Sequence, residues 1–171
     1  MFELAPSFFV PEGTFSLLIA PDAMLLDAVE RQLRRRERLR VLYVCGNYSR
    51  FLSCIDRQCP DFGIRRAFTV HQLLTILGEA DENLILIEHD ATLYDDAPDL
   101  AGQVSHACTD LAQAATVIVL ARTLDPVLRL MSARAARVVY VRHPDPVAPR
   151  MMRHRPAGPQ AAGTQTTLEG F

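Results

Sequence analysis

The sequence predicts an α/β domain of three layers, a mainly parallel sheet of about six strands with helices on both faces. Short β-branched apolar runs alternate with longer amphipathic stretches, which is the pattern of βαβ units. The strongest run, 83–89, is apolar on both faces and so marks a central strand covered from both sides. With 171 residues, 49% of them hydrophobic, the chain has enough for one such core and a tail.

The elements follow in order. Residues 15–20 (Phe-Ser-Leu-Leu-Ile-Ala) form the first strand. Pro21 and Asp22 open a helix over 23–39, with acids early and arginines late, as the helix dipole favours. A second strand at 40–45 leads through Gly46-Asn47 into a helix reaching about residue 58. A short strand at 64–68 precedes a helix over 70–77, capped by Thr69 and ended at Gly78. After the central strand comes an acidic loop at 90–96 and a helix over 98–115. Strands at 116–121 and 136–141, separated by a helix near 126–134, complete the sheet. The expected total is six strands and about five helices.

At His143 the composition changes. Prolines at 144, 146, 149, 156 and 159 sit among alanine, glycine and arginine without hydrophobic periodicity. The expected organisation is therefore a folded domain over 1–142, a disordered linker over 143–164 and a terminal peptide over 165–171.

Composition removes several function classes. A net charge of -2 argues against a basic nucleic-acid coat. Every fixed positive charge is arginine, because the chain contains no lysine. Chemistry that needs a lysine ammonium is thereby excluded, a P-loop lysine and a Schiff base included. No run of about 18 apolar residues is present, so no membrane span is expected. Met1-Phe2-Glu3-Leu4 lacks the basic start of a secretory signal. Cys45, Cys54, Cys59 and Cys108 form no Cys-x-x-Cys pair, and Cys45 lies in an apolar run as a small buried hydrophobe does. The expected location is reducing and cytoplasmic.

The terminal residues Gln165-Thr166-Thr167-Leu168-Glu169-Gly170-Phe171 have the form Gln-x-x-Leu-x-x-Phe. This resembles the PIP box, the peptide by which replication and repair proteins dock on the PCNA sliding clamp. The resemblance implies that Gln165 enters a polar pocket of the clamp, while Leu168 and Phe171 plug an apolar one. Residues i and i+3 of a 3₁₀ turn eclipse, so these two would point the same way. Thr167 matches the small residue common before the aliphatic position in archaeal forms of the motif. Fuller motifs carry two adjacent aromatics and this one carries Phe171 alone, which implies modest affinity.

Over most of residues 14–142 the order of strands and helices is similar to the RecA/RadA ATPase core. Residues 64–73 (Ile-Arg-Arg-Ala-Phe-Thr-Val-His-Gln-Leu) look like the stretch of archaeal recombinases that leads into the helix before Walker B. Leu84-Ile85-Leu86-Ile87-Glu88 then stands at the Walker B position, where Glu88 would be a degenerate metal-binding carboxylate. The Walker A position departs from the family. It reads Ala20-Pro21-Asp22-Ala23-Met24, without glycine or lysine, and Pro21 removes an amide donor while Asp22 repels phosphate. ATP hydrolysis by the usual mechanism is not expected.

Two further clusters have two readings each. Glu88, His89 and Asp90, with Asp95, Asp96 or Asp99, stand where open α/β sheets place ligands, so a catalytic or metal site is one reading. The other is a polar strand end whose aspartates make local turns, and the lack of a second ligand cluster favours it. Arg31, Arg34, Arg35, Arg36, Arg38 and Arg40 suit either DNA phosphates or a solvated helix end with Glu30 and Glu37 interleaved. Gly46-Asn47-Tyr48-Ser49 lacks the spacing of a nucleophile elbow.

These readings converge on a non-catalytic, archaeal accessory protein of replication or repair, with no catalytic residue, metal or cofactor. Its expected partner is the PCNA clamp. The folded domain would add a recombinase, a polymerase subunit or DNA, and no membrane. The alternatives are a DNA-binding recombinase paralogue acting through its Arg31–Arg40 face, and a divergent nucleotide- or metal-dependent enzyme using the Glu88–Asp99 region.

Overall fold

Six parallel strands form the centre of the computed structural model, which describes residues 2–5, 8–34, 39–55 and 61–141. The linker at 143–164, the peptide at 165–171, and Arg35, Arg36 and Arg38 lie outside the described residues. In chain order the elements are β1 (Phe2–Ala5), β2 (Phe8–Val10), β3 (Phe15–Ile19), α1 (Asp22–Arg34), β4 (Val41–Cys45), β5 (Phe62–Arg66), α2 (Val70–Glu79), β6 (Leu84–Glu88), α3 (Ala101–Leu111), β7 (Thr116–Ala121), α4 (Pro126–Ser132) and β8 (Arg137–Tyr140). Two 3₁₀ turns, Ala91–Tyr94 and Pro98–Leu100, join β6 to α3.

The main sheet runs β5-β4-β6-β7-β3-β8, and every neighbouring pair is parallel. Strands β3, β4, β6 and β7 are buried along their whole length, and their alternating side chains feed two separate cores. One face buries Leu17, Leu42, Ile85 and Val119 against α2, α3 and α4. The other buries Leu18, Tyr43, Leu86 and Ile118 against α1, the segment around Phe51 and Leu52, and the β1–β2 hairpin. Covering both faces is why these strands are continuous apolar runs rather than alternating ones. The architecture is the three-layer α/β class, and its order fits a RecA-like sheet.

Several boundaries differ from the sequence reading. α1 is described as far as Arg34, residues 35–38 lie outside the described residues, and Leu39 and Arg40 are not helical. The expected helix after Asn47 is a set of turns through Ile55, closed by Cys54 and Ile55 amides on the Phe51 carbonyl. The third sheet strand falls two residues earlier than expected, at Phe62–Arg66. α2 runs through Gly78 to Glu79, since a glycine with open space on its Cβ side costs a helix only about 1 kcal/mol. The antiparallel β1–β2 hairpin was not foreseen. Its buried Phe2 and Val10 close the α1 side of the core, and Arg137 on β8 donates to the Phe9 carbonyl at 2.9 Å. Among the described residues, no helix is long and apolar enough to cross a membrane.

Candidate functional site

A parallel sheet sends all its strand C-termini to one end, and side chains at that end converge. Chains leaving β3 and β4 turn to the α1 face, whereas those leaving β6 and β7 turn to the opposite face. Because β6 and β7 lie between β4 and β3, the connections part on either side of them and leave a crevice, where open α/β sheets place ligands. The crevice is a cleft of about 480 Å³ lined by Gly46, Tyr48 and Arg50 after β4, by Glu88 to Ala91 after β6, and by Arg122, Thr123 and Asp125 after β7.

Glu88 closes the floor. It is 3% exposed, and a carboxylate can be held there because four donors surround it. Oε2 accepts from Tyr43 Oη at 2.8 Å and from Ser49 Oγ at 2.5 Å. Oε1 accepts from the Arg50 amide at 2.9 Å and from Arg50 Nε at 3.0 Å. Tyr43 is wholly buried, and burial, followed by the Glu88 charge, pushes its hydroxyl well above the ordinary tyrosine range. That hydroxyl therefore donates and stays protonated. Burial also raises the Cys45 thiol at the end of β4.

From Glu88 the polar network runs outward. Arg50 Nη1 reaches Asp22 Oδ1 at 3.3 Å, and Arg122 Nε reaches Asp22 Oδ2 at 3.4 Å. The Arg50 guanidinium carbon lies 5.3 Å from the centre of the Phe51 ring. On the other side of the cleft, His89 Nε2 and Asp125 Oδ2 are 2.6 Å apart. Asp125 Oδ1 accepts the Leu128 amide at 2.8 Å, so one carboxylate both orients the imidazole and caps α4. Asp90 Oδ1 accepts from the Thr92 amide and hydroxyl and starts the first 3₁₀ turn. The Asp90 carboxylate leaves no room for a side chain at Gly46, where a Cβ would run into its Oδ2.

The turn from β3 into α1 forms no phosphate cradle. Only Ala20 and Pro21 separate β3 from α1, and the Pro21 carbonyl already accepts from Met24 and Leu25. Asp22 thus sits at the first residue of the helix with its carboxylate among arginines.

No family model matches the chain. An uncharacterised protein of Archaeoglobus fulgidus is 43% identical over 84 residues, which are 49% of this chain and 41% of that protein. The match spans less than half of the relative's length.

The structure unites some of the residues singled out in the sequence and separates others. Glu88, His89 and Asp90 do meet in the cleft, but Asp95 and Asp96, between the two 3₁₀ turns, and Asp99, in the second, are exposed and do not line it. Among the described residues, no three acidic, histidine or cysteine side chains are grouped to hold a metal ion. Arg31 pairs with Asp27 at 2.8 Å, Arg34 with Glu30 at 3.4 Å, and Arg40 with Asp81 at 3.0 Å. That part of the arginine cluster is a salt-bridged surface. The residues missed were Tyr43, Ser49, Arg50, Arg122 and Asp125. Ser49, Arg50, Arg122 and Asp125 lie in the segments that follow β4 and β7, where a polar residue was the available signal, whereas Tyr43 lies mid-strand in β4 and offered none.

Proposed function

We propose that this chain is a non-catalytic accessory protein of DNA replication or repair, which docks on a PCNA-type sliding clamp through Gln165, Thr167, Leu168 and Phe171. The Gln-x-x-Leu-x-x-Phe spacing behind a proline-rich stretch carries the reading. Two features of the domain support it. The turn from β3 into α1 has no phosphate cradle, and Glu88, at the Walker B position, spends its oxygens on Tyr43, Ser49 and Arg50. The domain would then act as a scaffold, and tethering to the clamp would raise its effective concentration at primer ends.

Calorimetric titration of a PCNA-type clamp from the source organism with the intact chain tests this, beside a form ending at Thr164 and the Phe171→Ala variant. The intact chain should bind. Phe171→Ala should weaken binding by about 30-fold or more, the effect of removing an apolar anchor from its pocket. Equal binding by the form ending at Thr164 would refute the reading.

A further inference from the structure

We propose that Arg50 and Arg122 form a binding site for a compact oxyanion at the mouth of the cleft, and that the Asp22 carboxylate is its built-in occupant. The two guanidiniums arrive from different strands, β4 and β7, with β6 between them in the sheet. They converge on one carboxylate supplied from the end of β3. The Arg50 plane is set independently of Asp22, because its Nε and main-chain amide are both fixed on Glu88. One side of the site is therefore preorganised.

The fit of Asp22 is loose. Its contacts of 3.3 and 3.4 Å exceed the roughly 2.7–2.9 Å of a strong guanidinium–carboxylate pair. Side-chain exposures of 37% for Asp22, 33% for Arg50 and 61% for Arg122 leave the group open to solvent. Glu88 balances Arg50, and Asp22 is the carboxylate facing Arg122. Loss of the Asp22 charge leaves Arg122 without its facing carboxylate, while Asp125 stays on His89 and Asp90 on Thr92 elsewhere in the cleft. Two planar forks are then open to bind phosphate or carboxylate oxygens in two-pronged fashion. In the natural chain an incoming anion must displace Asp22, so its affinity is weak. Neutralising Asp22 opens the site.

Inorganic phosphate is the probe, titrated at constant ionic strength into the full chain and into Asp22→Asn, with the arginine Nε–H resonances of Arg50 and Arg122 as readout. Asp22→Asn should bind phosphate about tenfold tighter or more than the natural chain, with both arginine signals shifting. Adding Arg122→Ala should abolish the gain. Equal affinity in the two proteins, or a gain that survives Arg122→Ala, overturns the proposal. Asp22→Ser provides the same comparison should Asp22→Asn fold poorly. None of these measurements involves the Gln165–Phe171 peptide, so the clamp reading stands or falls separately.

Discussion

Replacing Glu88 by alanine tests whether the cleft floor is held by that carboxylate or merely contains it. The substitution leaves the Tyr43 hydroxyl, 0% exposed, without its acceptor, which costs about 1–3 kcal/mol. The Arg50 amide loses a partner as well. Removing one member of a buried charged pair costs about 3–5 kcal/mol, but Arg50 is a third exposed and keeps Asp22 and water, so its share is discounted. The expected total is about 3 kcal/mol. For a chain of this size that lowers Tm by about 6–12 °C. Urea and thermal unfolding followed by circular dichroism at neutral pH give both numbers. Tyr43→Phe alone should cost about 1–2 kcal/mol, and the double variant should cost less than the sum, because the two changes remove a shared bond. The reasoning fails if Glu88→Ala lies within 1 kcal/mol of the natural chain, or is more stable, as a carboxylate strained for chemistry would be.

Two further outcomes are expected. Gly46→Ala should cost about 1–3 kcal/mol through its clash with the Asp90 carboxylate. Asp90→Ala in the same chain should recover most of that, and an additive double variant would argue against the clash. Alkaline pH should weaken the fold through Cys108, whose thiol burial pushes up to about 12. Its folded value is raised, so its contribution is complete below the unfolded thiol pKa of about 8.5 and is lost as pH climbs toward the folded value. Tyr43 and Tyr94, both raised chiefly by burial, extend the loss above pH about 10. Urea unfolding at pH 8 and pH 10.5 should show a larger drop for the natural chain than for Cys108→Ala. Equal drops would refute the assignment.

The sequence revealed the sheet because both of its faces are covered. β7 falls at 116–121, where its apolar run placed it, and β3, β4 and β6 agree to within a residue at each end. The edge strand β8 agrees as closely although it is mostly exposed, because its β-branched Val138-Val139 pair marks it. The edge strand β5 was harder to place. Its Gly63, Ile64 and Arg66 are exposed, so burial imposes no clear pattern on it. The β1–β2 hairpin went unseen, since its strands of four and three residues are too short to display a period. At the site, Glu88 was visible as the acid ending an apolar run. Its partners were not, because Tyr43 reads as one more core aromatic until a carboxylate is known to lie beside it. Arg50 and Arg122 stand 72 positions apart, and only the strand order brings both to Asp22.

That strand order has a consequence for how the chain is made. β3 is the first strand of the main sheet to be synthesised, and both of its neighbours are among the last. Phe15 pairs with Val117, and Ser16 with Arg137, 102 and 121 residues further on. At about 5–20 residues per second the ribosome takes roughly 6–24 s to cover the longer interval. Throughout it, five residues destined for full burial have no partner strand. The centre of the sheet is closed from the far end of the domain, so folding waits for β7 and β8, and pairings this distant are formed slowly. A nascent chain arrested before residue 116 should hold β3 open to proteases and chaperones, whereas one extended well past residue 140 should protect it.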